Sequence, residues 1–358
     1  MYVSIQKAEP MDGAGKNADF YRGKSILISG GCGSVGRAIV DQLLDLDVKV
    51  VRIYDNNEYG LFEMQQKYAD EDRLRFLVGD VRDKTRLAYA LKTIDIVFHA
   101  AALKHVPLCE YNPFEAIKTN VIGTQNIIEA SLEEEVEKFI LISTDKAVNP
   151  VNTMGATKLL CEKLTVAANY YKGDAATMFS CVRFGNVLNS RGSVFQTFRE
   201  QIQAGGPVTV TSDRMRRYVM SMSQAADLIL KSASLARGGE LFVLKMPVIN
   251  VRDLAESMVE ELAPRYNQDP KKIAVKIVGE REGEKTDEDL ITEYEAKYTL
   301  DLGELLAIIP FAEANESYPD LKFDGGVDES LINTEKSRPI SKAKIKKIIR
   351  DVLAEDIF

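Results

Sequence analysis

Only two histidines and four cysteines occur in these 358 residues. Cys32, Cys109, Cys161 and Cys181 stand in separate apolar segments with no CxxC pair, so neither a disulfide framework nor a zinc site is indicated, and a reducing cytoplasm fits best. No apolar run reaches about 18 residues, the length a membrane-spanning helix needs. The opening segment MYVSIQKAEPMDGAGKNADF lacks the apolar core of a signal peptide, so residues 1–20 read as a tail or a packing arm. Positive charge is in deficit, with 46 Lys and Arg against 54 Asp and Glu and a formal charge of −8. That balance argues against a general nucleic-acid or membrane-surface binder and confines any anion site to a local pocket. Internal repeats and low-complexity stretches are missing as well.

What is present is 45% apolar and 28% charged, ordinary for a globular protein with a sizeable core. From Lys24 onward, short β-branched runs alternate with longer amphipathic segments. SILIS, KVVRIYD, LRFLVGD, DIVFHAA, KFILIST and TMFSCVRFGNV read as strands; helices are expected from Ser34, near EYGLFEMQQKYA, over about 112–133 and over about 153–171. This alternation predicts an α/β fold with a doubly wound parallel Rossmann-type sheet over 21–185. After about Asn186 the regularity gives way to Gly- and Pro-containing loops. A smaller C-terminal substrate-binding lobe over 186–330 is expected, with some segments returning to the first domain. Ile345, Ile348, Ile349 and Val352 mark a terminal helix within 331–358.

ISGGCGSVG places Gly30, Gly33 and Gly36, with Ser34 and Val35 between them, at the turn from the first strand to the first helix. Glycines there allow a tight turn and let backbone amides at a helix N-terminus approach a pyrophosphate. Asp55 ends the second strand roughly 20 residues further on, where a carboxylate accepts from an adenosine ribose and repels a 2′-phosphate. That pattern favours NAD over NADP. Asp80 and Val81 in GDVRD offer an adenine edge, and Ala100 and Ala101 end the fourth strand. All four segments fall at the carboxyl ends of strands, where such sheets bind ligands.

Taken in order, GGCGSVG, GDVRD, FHAAALKHVPLCEYNP, NVIGTQN, STDKAVNPVNTMGATK and VRFGNVLNSRGSV resemble the extended short-chain dehydrogenase/reductase family. The resemblance is closest to the nucleotide-sugar 4,6-dehydratases of polysaccharide biosynthesis that act on UDP-N-acetylglucosamine, and it runs from about Phe20 to the C-terminus. It implies an NAD-dependent homo-oligomer of the soluble short form, with no metal. STDKA followed by MGATK marks the subgroup in which Met154 replaces the usual tyrosine, four residues before Lys158.

The implied reaction moves hydride from sugar C4 to NAD, eliminates water across C5 and C6, and returns the hydride to C6. Thr144, Asp145 and Lys146 resemble the Thr-Asp-Glu trio of the deoxythymidine-linked glucose dehydratases, which makes Asp145 the candidate acid at C6 and Lys146 the candidate C5 base. Such an acid needs a raised pKa and such a base a lowered one. Met154 has only a weak acceptor sulfur and at helical spacing reads as core as readily as site. Thr144, Asp145 or an ordered water is left to receive the C4 proton, with Asp145 preferred. Lys158 is implied to hold the nicotinamide ribose and to supply positive potential.

Asn120 resembles the family's structural active-site asparagine. Lys104 and His105 could face the sugar or cofactor, although His105 reads equally as structural. Asn186 and Ser193 follow the sixth strand, where the family binds the nucleotide diphosphate, and Arg217, Arg281 and Glu284 resemble its phosphate and nucleoside contacts. Arg216 and Glu282 depart from the family's usual threonine and proline. A nucleotide-sugar C4 epimerase and a non-catalytic NAD-sensing protein are the alternatives, and the residues leave open UDP against GDP and inversion against retention at C5.

Overall fold

A computed structural model of the protein describes residues 18–280, 283–309 and 327–355. The expected tail, up to residue 17, and Arg281 lie outside that set, as does Glu282.

The chain begins β1 (Ser25–Ser29), α1 (Ser34–Leu44), β2 (Val50–Asp55), α2 (Glu58–Lys67), β3 (Leu74–Val78), α3 (Lys84–Leu91) and β4 (Ile96–His99). Next come α4 (Val106–Tyr111), α5 (Pro113–Ala116), a π-helical segment (Ile117–Ile122), α6 (Gly123–Glu133), β5 (Lys138–Ile142), α7 (Thr153–Tyr171) and β6 (Met178–Arg183). These strands form most of one sheet ordered β13-β14-β10-β6-β5-β4-β1-β2-β3, where β10 is Leu241–Leu244, β13 is Thr299–Asp301 and β14 is Leu305–Ile308. Pairing is parallel from β3 through β10; the last two strands run antiparallel. Every residue of β1 and β5 is buried, because helices cover both faces and leave no wet side for polar alternation. The order reverses between β1 and β4, and a crevice opens there at the strands' carboxyl ends.

Two expectations are corrected in detail. The helix expected over 112–133 is divided, because the Asn120 carbonyl accepts from Thr124 Oγ1 at 2.5 Å and Cys161 Sγ at 3.0 Å inside the π-helical turn. A π-bulge of this kind often marks a functional position. The strand expected over TMFSCVRFGNV is also divided. Its end, β7 (Asn186–Val187), leaves the large sheet and pairs with β9 (Arg216–Met220). At the break, a side chain on Gly185 would stand 2.7 Å from Tyr218 Cβ. β10, α9 (Met222–Leu235), β13 and β14 follow residue 186 and pack with the large sheet.

The remaining segments build a second core. Phe195, Phe198 and Ile202 of α8 (Val194–Gln203) pack with Leu254 and Met258 of α10 (Val251–Leu262) and with the short strand β8 (Val208–Val210). The terminal helix α12 (Lys342–Ala354) adds Ile345, Ile349 and Val352 to this core, as its spacing predicts; Ile348 packs at the margin.

Candidate active site

A cavity of about 780 Å³ runs along the carboxyl ends of β1, β2, β4 and β5. Gly30 adopts φ +69°, and a side chain there would stand 2.6 Å from the Ala101 amide nitrogen. A side chain on Gly36 would stand 2.6 Å from Gly31 Cα. The close approach of the β1 turn to the β4 end therefore depends on glycine. Gly33 caps α1, and Gly33, Ser34, Val35 and Gly36 all line the cavity beside Ala100 and Ala101. Asp55 lies across from them, accepting from the Cys32 amide at 2.9 Å and the Asn57 amide at 2.9 Å. Asp80 and Val81 close the far end; the guanidinium of Arg82, hydrogen-bonded to Asp80, holds that carboxyl below the usual range. This cradle of glycines, a helix N-terminus and a fixed carboxylate fits an adenine dinucleotide without a 2′-phosphate.

At the inner end of the cavity stands the turn Asp145–Ala147, which follows β5. Asp145 is fully buried and its Oδ1 accepts from Thr144 Oγ1 at 2.9 Å and Lys146 Nζ at 3.0 Å. Oδ2 has no hydrogen-bond partner among the described residues. Lys146 also faces Glu288 Oε1 at 3.6 Å. Burial pulls the Lys146 amine down, but the charges of Asp145 and Glu288 outweigh it and raise its pKa. This reverses the lowered value expected of a base.

Asn152 caps α7 and accepts from the Gly155 amide at 2.8 Å, which directs the first turn of that helix toward the cavity. Met154 packs against Cys109 and Ala116 in a small apolar cluster while still touching the cavity. Lys158 lies one turn on and donates to the Ile142 carbonyl at 2.5 Å. Asn120 is spent on structure, accepting from the Leu103 amide at 2.7 Å and donating to Thr157 Oγ1 at 2.9 Å. It holds the loop after β4 against α7 and does not line the cavity.

A second cavity of about 250 Å³ lies in the smaller lobe, with Val106, Val194, Phe198, Val210 and Met215 among its apolar walls. Lys146, Asn186, Gly192 and Val194 border both cavities, so the turn at Asp145–Ala147 stands at their junction. Lys104 and His105 line the larger one, the former donating to the Arg191 carbonyl at 2.6 Å. Burial lowers the pKa of both. Ser193 Oγ and Asn186 Oδ1 are buried without a hydrogen-bond partner among the described residues. Glu284 and Arg217 line the smaller cavity. The Arg217 terminal nitrogens already donate to the carbonyls of Arg216, Lys285 and Thr286 at 2.7–3.0 Å. Arg216 pairs with Asp287 at 2.7 Å, which accounts for its departure from the family pattern as a loop clamp.

Residues 26–310 match the family described as polysaccharide biosynthesis protein. The chain belongs to that family. Within it, the chain is an extended short-chain dehydrogenase/reductase with a nucleotide-sugar-modifying type of site. It is 52% identical to an uncharacterized membrane protein of Methanocaldococcus jannaschii, over 94% of this chain and 98% of that one. It is 42% identical to an inverting UDP-N-acetylglucosamine 4,6-dehydratase of Campylobacter jejuni, over 81% and 84%. A UDP-glucose 4-epimerase of Rickettsia typhi is 35% identical over 93% and 96%. The solved structure of Pen from Bacillus thuringiensis superposes with a TM-score of 0.86 at 38% identity, over 93% of this chain and 98% of that one. Among the described residues no helix is long and apolar enough to cross a membrane, and no cluster of His, Cys, Asp and Glu is placed to hold a metal.

Two positions escape the sequence reading. Glu288 lies in GEREGEKTDEDL, where a run of charges reads as solvated surface, yet it is 2% exposed. Gly155 packs so close to the turn after β5 that a side chain would stand 2.2 Å from the Lys146 carbonyl. Neither carries a local signal, since burial and close approach arise from segments distant in sequence.

Proposed function

We propose that the protein is an NAD-dependent dehydratase that converts UDP-N-acetylglucosamine to a UDP-linked 4-keto-6-deoxy sugar. The observation that carries this reading is the Thr144-Asp145-Lys146 turn, with its aspartate fully buried, at the junction of two cavities and beside a methionine that cannot exchange a proton. NAD, held by Gly30 through Gly36, Asp55 and Lys158, would accept hydride from C4 and return it to C6. The Thr144 hydroxyl is hydrogen-bonded to Asp145, so a proton leaving the C4 hydroxyl has a route to that carboxylate. Asp145 then delivers the same proton to the departing C6 hydroxyl. Lys146 takes the C5 proton, which is acidic because the C4 ketone turns the carbanion into an enolate. Lys158, buried next to the nicotinamide end, stabilises negative charge developing on the C4 oxygen. The smaller cavity takes the nucleoside, and Asn186, Ser193 and Glu284 face the nucleotide.

Apolar side chains exposed along α4 to α7, among them Leu108, Tyr111, Phe114 and Tyr171, support a homo-oligomer. Four buried, unpaired cysteines suit a reducing cytoplasm.

Incubation with UDP-N-acetylglucosamine followed by mass spectrometry tests the reading. The expected product is lighter by one water. An isobaric product would support the C4 epimerase, the activity named for the Rickettsia relative, and no turnover of UDP- or GDP-linked sugars would overturn both.

A further inference from the structure

A lysine that carries its proton cannot take one from carbon, and Lys146 is held in its ammonium form from two sides. Glu288 Oε1 lies 3.6 Å from Lys146 Nζ and 3.7 Å from Arg217 Nε. Its other oxygen, Oε2, is buried with no hydrogen-bond partner among the described residues, as is Asp145 Oδ2. Glu288 also borders the smaller cavity beside Lys146. A carboxylate that leaves one oxygen dry and unpaired is more costly than the neutral acid. Burial pushes the Glu288 carboxyl up, and Asp145 adds to this, against the opposing charges of Lys146 and Arg217.

The charged and titratable groups that face Glu288 come from three elements. Asp145 and Lys146 approach from the turn after β5, Arg217 from β9, and Lys285 from its own loop. Its sequence neighbours Asp287 and Asp289 are paired elsewhere, with Arg216 at 2.7 Å and Lys285 at 3.2 Å. Tyr218 of β9 stays neutral, pushed above its ordinary range by burial.

We propose that Glu288 is a positioning residue that acts through Lys146, accepting the lysine's proton once sugar seals the pocket and leaving a neutral amine toward C5. The inference rests on the dehydratase reading and adds a group to it. In the first step an Nζ–H bond breaks and a Glu288 O–H bond forms, turning an ion pair into a neutral pair with no proton lost to water. The C5–H bond then breaks, its proton joins Nζ and its electron pair enters the enolate. Expulsion of the C6 oxygen uses the Asp145 proton, so the elimination releases one water. When hydride has returned to C6, Lys146 gives a proton back to C5, and Glu288 restores the ammonium.

Solvent deuterium incorporation at C5 of UDP-N-acetylglucosamine, followed against pH in wild type and Glu288→Gln, tests this. Internal transfer makes the wild-type rate flat across neutral pH. In Glu288→Gln the lysine's proton must leave to solvent, so the rate at pH 7 should fall at least ~10-fold and climb about tenfold per pH unit, with KM little changed. Glu288→Asp keeps a titrating carboxyl and should restore the flat profile at reduced rate. The proposal is overturned if Glu288→Gln exchanges as fast as wild type at pH 7, or faster, because the carboxylate then only holds Lys146 protonated. Product analysis of the wild type separates this outcome from failure of the dehydratase reading, which would show as no loss of water. Infrared difference spectra on adding UDP-N-acetylglucosamine need no turnover. A protonated-carboxyl stretch that appears in Asp145→Asn as in wild type supports the transfer, because Asp145 can then not be its source, and its absence from Asp145→Asn overturns it, even if Glu288→Gln fails to fold.

Discussion

A thioether and a carboxyl divide the work at Met154 and Asp145. Met154 is 4% exposed and completes a small apolar cluster, whereas Asp145 keeps a buried oxygen unpaired. Met154→Leu preserves volume and apolarity, so it should leave kcat within a few fold, while Asp145→Asn removes the titrating group and should lower kcat by at least ~100-fold. Steady-state dehydration assays on proteins shown to bind NAD decide between them; equal losses from both would mean that the sulfur has a chemical role. Asp55 acts by charge at the cofactor's other end. Asp55→Asn keeps an acceptor for only one of the Cys32 and Asn57 amides, which bond to different carboxylate oxygens, and loses the repulsion of a 2′-phosphate. The ratio of NAD to NADP affinities, measured by calorimetry, should fall, and an unchanged ratio would assign the preference elsewhere.

At the scale of elements, the turn after β5 is placed by the helix that packs on it. α7 begins at the Asn152 cap, and Gly155 brings its backbone against the Lys146 carbonyl. Gly155→Ala must push the two segments apart. A displacement of about 1 Å is enough to cost ~100-fold in rate, so kcat should fall by that order with NAD affinity unchanged, a split read by kinetics alongside cofactor titration. The bounds of α7 were legible from the sequence because cap and amphipathic period agree. The division of the helix over 112–133 was not, since the side chains that compete for the Asn120 carbonyl are supplied in part by α7, through Cys161.

Across the whole molecule, one buried ion cluster ties a late loop to the main sheet. Arg183 of β6 is 1% exposed and pairs with Glu162 of α7 at 2.7 Å and with Glu295 at 2.9 Å. Arg183 also donates to the Leu290 carbonyl at 3.1 Å, which anchors the segment carrying Glu288. Arg183→Met strands a buried carboxylate and should cost about 3–5 kcal/mol in a urea titration. Burial alone would raise the Glu295 pKa, but the Arg183 charge and hydrogen bonds outweigh it and hold the carboxyl below the usual glutamate range. A lowered folded-state pKa gives stability that is complete above the unfolded value and is lost as pH falls through the folded one. Wild type should therefore lose more stability than Glu295→Gln on acidification below the ordinary glutamate range, as measured by thermal unfolding across pH. Parallel losses would show that the pair contributes nothing to acid sensitivity.

By itself the sequence determined the alternating strands and helices, the glycine turn with its carboxylate, and the Thr144-Asp145-Lys146 run, since each is written in neighbouring residues whose backbone or chemistry needs no distant partner. Tertiary structure alone decided which late segments, β10, β13 and β14, join the large sheet, that Asn120 braces a loop, and that Glu288 lies against Lys146. Those outcomes depend on which surfaces exclude water together, and a carboxylate's proton affinity follows from that enclosure. The reversal at Lys146 has the same origin in part: the charge of its neighbour Asp145, joined by that of a glutamate more than a hundred residues away along the chain, outweighs burial and raises its pKa.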